Sequence, residues 1–211
     1  MVTKFLKLVL LITATPILFG SSCNKNGSKP CTRVTPYSFN VTSEFSPQKE
    51  IYNVGDTIFL ISSFPKQLIN IISNQQVDYS NSLAIGGNCN FGILDTVTKS
   101  ISEGLSKFNV LAITGSSTLI NSSSNLGLNV QFKETSTNYE LKISILLISK
   151  GIFSVVMTDL SSQGLRGQNC TNAGFSMTVT NSNKNLNLFQ YALGYPADAM
   201  LAKNIYCFRV Q

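Results

Sequence analysis

The chain has 211 residues, of which 43% are hydrophobic and 12% charged, and it contains neither His nor Trp. The lack of His removes the commonest general base and a frequent metal ligand, which excludes most hydrolase triads and zinc sites. Ordinary apolar content combined with low charge density is typical of a folded chain and excludes extensive disorder. The composition therefore predicts a compact globular protein without a metal or an organic cofactor.

Residues 1–22 have the pattern of an export signal. Lys4 and Lys7 give a positive start, an apolar core follows, and small residues precede Cys23. The apolar core, residues 8–19, is 12 residues long, whereas a membrane-spanning helix needs about 20 apolar residues. We therefore expect this segment to be removed on export.

Two peptidases fit the bond before Cys23. Gly20 and Ser22 are small residues that suit a general signal peptidase, whereas the Ser22–Cys23 junction resembles the lipobox of bacterial lipoproteins, in which this cysteine is acylated. The chain has five cysteines, and acylation of one leaves an even number that can form disulfides. This parity favours a lipoprotein, whose several acyl chains make a stable membrane anchor.

The mature chain is only weakly basic. Residues 1–22 carry two lysines and no acid, so their removal lowers the net charge from +6 to +4. The remaining charges are scattered along the sequence and form no basic run. Nucleic acid is therefore not a predicted partner.

Two regions follow the signal. Residues 23–36 are polar and contain Gly27, Pro30 and Pro36, which predicts a lipidated tether. Residues 37–211 are predicted to form a β-sandwich domain, with two small packed β subdomains as the alternative. The predicted strands, in chain order, are 37–42, 57–61, 91–97, 108–114, 126–132, 139–147, 152–158, 175–180 and 205–210.

Residue patterns in these segments favour an all-β fold. Residues 139–147 alternate between apolar and polar side chains, and a Gly-containing turn separates them from residues 152–158, which predicts a hairpin. Residues 57–61 are apolar enough to predict a strand buried on both faces. Short helices are predicted at 65–72 and 196–203, where Pro lies near the first turn. The fold class is therefore an immunoglobulin-like or related β-sandwich with one or two short helices.

Four cysteines remain if Cys23 is acylated, and they allow three pairings. We favour Cys170 with Cys207, which would restrain the carboxy terminus, and then Cys31 with Cys89, which would pin the tether to the domain. The cysteines show no Cys-x-x-Cys spacing and have no His nearby. Metal binding by them is therefore not predicted.

Candidate ligand-binding groups are aromatic or acidic. Phe189, Tyr191 and Tyr195 lie in a segment that Gly and Pro predict to be a loop, where tyrosines can stack on sugars or peptides. Paired carboxylates could hydrolyse glycosides without His, and five acidic residues lie at predicted strand ends or turns. These residues are Glu44, Glu50, Asp56, Asp95 and Asp159. Spacing singles out no pair of them.

Several stretches resemble a group of uncharacterised cell-envelope lipoproteins from Bacteroidota. These are SSCNK at 21–25, FSP at 45–47 with YNVGDTI at 52–58, KGIF at 150–153 and IYCFRV at 205–210. The resemblance implies an exported, lipid-anchored β-protein and brings no catalytic residue. Thr57 and Thr96 match the Asp-[Ser/Thr]-aliphatic pattern of O-glycosylation in that phylum and are candidate glycan sites. Residues 24–28 contain no acid, which favours an outer-membrane anchor facing the periplasm over export to the cell surface.

The sequence therefore predicts a lipid-anchored envelope protein that acts by binding or assembly and has no catalytic activity. Its expected partners are the membrane, through the lipid on Cys23, and an envelope protein or glycan. The alternative is a secreted or periplasmic carbohydrate-active enzyme, or a glycan-binding protein, that uses carboxylates and tyrosines.

Overall fold

The structure is a computed structural model that describes residues 37–120 and 127–211. The predicted signal, the tether, and the cysteines at 23 and 31 lie outside the described residues. The strands are β1 Tyr37–Ser46, β2 Ile51–Tyr52, β3 Thr57–Pro65, β4 Gln67–Asn70, β5 Gln75–Asp78, β6 Gly86–Asp95, β7 Ser100–Glu103, β8 Phe108–Thr114, β9 Ser116–Leu119, β10 Gly127–Gln131, β11 Lys133–Glu134, β12 Asn138–Leu147, β13 Gly151–Met157, β14 Leu160–Ser162, β15 Ala173–Val179 and β16 Ile205–Val210. The helices are α1 Leu186–Leu193 and α2 Ala199–Asn204, and a 3-10 helix spans Leu105–Lys107.

Fourteen of the strands form two sheets that share β1, and β4 pairs with β5 in a separate two-stranded sheet. The large sheet has the order β1-β15-β14-β6-β13-β16-β2, with β7 and β10 paired to β6 and β9 paired to β10. The small sheet has the order β1-β3-β12-β8, and β11 also pairs with β12. The first part of β1 pairs in parallel with β15, starting at Tyr37 opposite Ala173, and its last part pairs antiparallel with β3. The predicted all-β sandwich with two short helices is confirmed.

The inner faces of the two sheets form one hydrophobic core. In β12, every second side chain from Tyr139 to Leu147 is almost completely buried, as the period-two pattern predicts. The same cluster includes Phe39 of β1 and Phe153 of β13. Burying each such side chain contributes about 1.5–3 kcal/mol. A second cluster lies between α1 and the outer side of β16.

The predicted hairpin between residues 139–147 and 152–158 is wrong, although both strands exist. Strand β12 pairs with β3 and β8 in the small sheet, whereas β13 pairs with β6 and β16 in the large sheet. Residues 148–150 therefore carry the chain across the sandwich from one sheet to the other. The alternation in β12 specifies its buried face and leaves its partner strand open.

The helix predictions are partly right. Residues 65–72 form the end of β3, strand β4 and the start of a turn, with Leu68 buried and Ile69 exposed in strand-like alternation. Residues 199–204 are helical, and the side chain of Asp198 caps this helix by accepting a hydrogen bond from the backbone N–H of Leu201 at 2.7 Å. Helix α1 covers residues that were predicted to be a loop, and its buried side chains include Phe189.

Both favoured disulfide pairings are wrong. Cys89 and Cys207 are free, buried thiols, so neither pairs with Cys170 or Cys31. Strand β13 separates them, since Cys89 lies in β6 and Cys207 in β16, and each packs as a small apolar side chain in a different cluster. Cys170 does take part in a disulfide.

Candidate protein-binding surface

Strand β8 forms an edge of the small sheet. Among the described residues it pairs with β12 alone, along Phe108 to Thr114. Its sequence, FNVLAIT, contains no charged residue and no proline. Edge strands in natural proteins usually carry such residues because unpaired backbone groups can otherwise recruit another chain. The edge of β8 thus offers a row of backbone donors and acceptors without that protection.

Apolar side chains continue from β8 across the outer side of the small sheet. The strand register places Leu111 and Phe59 on either side of Ser144, and Ile61 beside Lys142. Leu111 is 67% exposed and Ile113 52% exposed, whereas Phe59, Ile61 and Leu146 are half-buried. We call these five apolar residues the outer face. The sequence predicts β3 to be buried on both faces, but no described element covers this one.

Charged groups lie within and beside the outer face. The Nζ atom of Lys142 lies 4.9 Å from the centroid of the Phe59 ring, a cation–π contact. Glu44 is opposite Ile61 in the register of β1 and β3, and Glu140 lies next along β12 on the same side as Lys142. An apolar centre with charges at its margin is the usual composition of a protein interface.

A groove of about 490 Å³ lies on the other side of β8, where the edges of the two sheets come together. Its apolar lining comes from Phe108 and Val110 of β8 with Leu105, Leu119 and Leu128, and its polar lining from Glu103, Ser106 and Ser117. Since side chains alternate along a strand, a strand added to β8 would place alternate residues against the outer face and into this groove. The edge, the outer face and the groove together can therefore recognise an extended apolar segment.

The predicted aromatic platform is only partly at the surface. Phe189 is buried against the large sheet and cannot contact a ligand, which corrects its assignment. Tyr191 and Tyr195 are exposed, but the Tyr191 ring already contacts the guanidinium group of Arg209 at 5.8 Å. The Tyr195 ring packs edge-on against Phe189, with ring centroids 6.0 Å apart. The two tyrosines thus take part in packing around α1.

The candidate carboxylates serve the backbone. Asp56 accepts a hydrogen bond from the N–H of Asn53, and Asp159 accepts one from the N–H of Met177. The N–H groups of Thr98 and Val97 donate to Asp95 and hold the pKa of its carboxyl below the usual value. These contacts assign turn and strand-end roles to the three carboxylates.

Glu103 is the one carboxylate among the residues that line a cavity of about 210 Å³ between β6, β7 and α2. Glycoside hydrolysis of the usual kind needs two facing carboxyl groups, which this lining does not offer. Within residues 37–120 and 127–211, no three His, Cys, Asp or Glu side chains come close enough to hold a metal ion. No helix in the same ranges is long and apolar enough to cross a membrane.

The structure also places the two candidate glycosylation sites, Thr57 and Thr96, and the two free thiols, Cys89 and Cys207. Thr57 begins β3 and Thr96 lies in the turn between β6 and β7, and both side chains are half-buried. Burial raises the pKa of Cys89 and of Cys207 to about 12. Thiols with such pKa values are inert as nucleophiles near neutral pH.

The outer face was not predicted from the sequence. Its signal was present in β3, where Phe59 and Ile61 alternate with buried Ile58 and Leu60. Apolar residues on both sides of a strand indicate either a strand between two layers or a strand whose outer side is an exposed apolar surface. Local sequence cannot distinguish the two, because the covering layer would come from distant parts of the chain.

No protein-family model and no curated protein sequence matches the chain. The fold is similar to the second type II cohesin module of the adaptor scaffoldin ScaA from Acetivibrio cellulolyticus, with 12% identity, coverage of 69% of this chain and 91% of that chain, and a TM-score of 0.37. A chain of a type II cohesin–X-dockerin complex from the same organism is 12% identical, with coverage of 66% of this chain and 95% of that chain and a TM-score of 0.34. Type II cohesin A11 from Bacteroides cellulosolvens is 13% identical, with coverage of 65% of this chain and 86% of that chain and a TM-score of 0.25. Similarity at this level carries no argument about partners.

Proposed function

We propose that this chain is a lipid-anchored envelope protein that acts as a protein-binding or assembly module and not as an enzyme. The observation that carries the proposal is the unprotected edge of β8 beside the apolar outer face. A partner that adds a strand to this edge gains main-chain hydrogen bonds, and its side chains gain apolar contacts on both sides. The partner is therefore a protein with an extended, apolar segment.

The free energy of burying apolar side chains supports the outer face as a site of protein binding. Leu111 and Ile113 expose most or half of their side chains to water. Burying the part of one such side chain that is still exposed is worth about 1–2 kcal/mol, roughly a 5- to 30-fold gain in affinity. Two such residues beside an open strand edge can supply the centre of a specific interface, while Lys142 and the neighbouring acids limit which partners fit.

The lipid anchor and the envelope location rest on the sequence pattern around Cys23. The anchor would hold the domain at an outer-membrane surface, with the periplasmic side as the proposed location. Tethering of this kind raises the effective concentration of the binding surface toward partners in the same membrane. A binding surface of moderate intrinsic affinity would then be sufficient.

Photo-crosslinking in the native envelope tests the binding surface. A photoreactive amino acid replaces Leu111 in the full chain, and a matched control replaces Val97, an exposed apolar residue in the turn between β6 and β7. We expect a discrete protein adduct from position 111 alone, and a loss of about 10-fold or more in its yield when Ile113→Lys is added. Adding Lys at a surface position far from the outer face, Met200→Lys, should leave the yield unchanged. Equal adducts from positions 111 and 97, or none from 111, would refute the proposal.

Metabolic labelling with a fatty-acid analogue tests the anchor. The wild-type chain should incorporate the label and fractionate with membranes, and the Cys23→Ala chain should do neither. A Cys23→Ala chain that still carries the label and still sediments with membranes would contradict acylation at this residue.

A further inference from the structure

The turn between β4 and β5 exposes two adjacent isoleucines. Ile71 and Ile72 are 50% and 70% exposed, and they begin a four-residue turn, residues 71–74, that ends on Asn74 with a φ of 54°. The side chain of Asn70 fixes the turn by accepting a hydrogen bond from the N–H of Ile72 at 3.2 Å. Residues 67–77 contain no charged side chain, so placing this turn in an apolar medium carries no cost for burying a charge.

This turn lies where the described chain begins. The backbone N–H of Ile71 donates to the carbonyl of Ser38 at 2.9 Å, and the N–H of Ser38 donates to the side chain of Asn70 at 3.2 Å. Ser38 is the second residue of β1, and the proposed tether ends just before β1. The exposed isoleucines are therefore at the end of the domain from which the chain leads back to Cys23.

The turn between β6 and β7 provides an internal comparison. It also has four residues, 96–99, and ends on a residue with a φ of 54°, Lys99. An Asx side chain again fixes it, since Asp95 accepts a hydrogen bond from the N–H of Val97 at 2.7 Å. Val97 is 87% exposed, but this turn carries an acid and a lysine where the other has Asn70 and Asn74.

The two turns lie at opposite ends of the sandwich. Tyr37 is opposite Ala173, and Ala173 is opposite Ser162. The residue before Ser162 in β14, Ser161, is opposite Gly86 at the start of β6. Strand β6 then runs its full ten residues to Asp95, a length of about 30 Å. The charged turn is therefore remote from the start of β1, and the uncharged turn is next to it.

We propose that the β4–β5 turn inserts Ile71 and Ile72 into the surface of the bilayer that carries the anchor. This inference rests on the proposed lipid anchor, and it adds the orientation of the domain to it. Burying each isoleucine favours the membrane-bound orientation by about 10-fold. The anchor makes this contact intramolecular, so that a small intrinsic preference is enough to orient the domain.

Site-specific fluorescence in the full-length, membrane-bound protein tests the inference. Ile72→Cys and, as the matched control, Val97→Cys carry a polarity-sensitive thiol probe, and the parent chain treated with the same reagent gives the background. The buried thiols of Cys89 and Cys207 should resist the reagent in a folded protein, so incorporation of one probe per chain also shows that a variant folds. Spin-labelled phospholipids in the bilayer then report the proximity of the probe to lipid.

We expect a blue-shifted emission and severalfold stronger quenching by the spin-labelled lipid at position 72 than at position 97. Equal emission and quenching at the two positions, in protein that sediments with the membrane, would overturn the inference and leave the anchor standing. Protein that does not sediment with the membrane would overturn the anchor, and this inference with it.

Discussion

Asn185 allows a sharp test of how the chain is held together around α1. This buried residue precedes the helix in the left-handed conformation, with a φ of 53°. Its side-chain amide donates to the carbonyl of Lys49 at 2.9 Å and to that of Cys207 at 2.8 Å. One side chain thus joins the loop after β1, the start of α1 and the last strand.

Replacing Asn185 by Gly removes both hydrogen bonds and keeps a residue that accepts the left-handed conformation. Each hydrogen bond contributes about 0.5–1.5 kcal/mol, so we expect a loss of roughly 1–3 kcal/mol in the free energy of unfolding. Asn185→Ala loses the same bonds and adds backbone strain of about 1 kcal/mol. Asn185→Asp should be at least as harmful as Ala, because it would direct a carboxylate oxygen at two carbonyl oxygens.

Urea unfolding followed by far-UV circular dichroism measures these differences, since the chain has no Trp to report by fluorescence. The expected order of stability is wild type, Gly, Ala, with Asp no higher than Ala. A Gly variant within about 0.5 kcal/mol of wild type would show that the two hydrogen bonds contribute nothing net. An Ala variant more stable than the Gly variant would refute the role assigned to the left-handed backbone.

Three further predictions concern cysteines and pH. In the native protein Cys89 and Cys207 should not react with a thiol reagent at pH 8. Burial raises their pKa values from 9.0 to about 12 and so lowers the thiolate fraction by roughly 1000-fold. Both thiols should react after unfolding, and rapid labelling of the native protein would contradict their burial. Non-reducing peptide mapping should place Cys170 in a disulfide. We expect Cys31 as its partner, because Cys89 and Cys207 are free and Cys23 is the proposed acylation site; a peptide linking Cys170 to Cys207 would contradict the structure. Burial also raises the pKa of Tyr139 from 10.0 to about 12, so the folded state holds protons that the unfolded state releases. Stability should then be complete below about pH 9 and fall as the pH rises toward 12, and a melting temperature that stays constant from pH 8 to pH 11 would refute this.

Strand positions could be predicted from the sequence where alternation is clear. Strands β8 and β16 begin and end at the predicted residues, 108–114 and 205–210, since apolar runs bounded by polar residues define a strand locally. The sheet to which a strand belongs depends on distant partners, so β12 and β13 were wrongly joined as a hairpin. Helix α1 was missed because flanking Gly and Pro suggested a loop, although Phe189, Ala192 and Leu193 already have helical spacing.

The proposed binding surface could not be predicted from the sequence, for a different reason. The apolar character of Phe59 and Leu111 can be read from the sequence. Their exposure depends on whether another element packs over them, and none in residues 37–120 and 127–211 does. Strand β3 shows this directly, since the same pattern that predicts burial on both faces also fits a strand with one face left open. Exposure is a property of the assembled sandwich, and so is the open edge beside it.

The two proposed contacts are compatible in space. The strands of a sandwich run roughly along one axis, and the β4–β5 turn lies at one end of it, beside Ser38. If that end rests on the membrane, β8 extends away from the bilayer and its open edge faces sideways. A partner strand would then lie along the flank of the domain, clear of the lipid. The proposed lipid tether would strengthen both proposed contacts, because each would become intramolecular or confined to one surface. Weak strand addition at β8 would then suffice to bind a partner, and weak insertion of two isoleucines would suffice to orient the domain. A strongly adhesive open edge would instead promote aggregation.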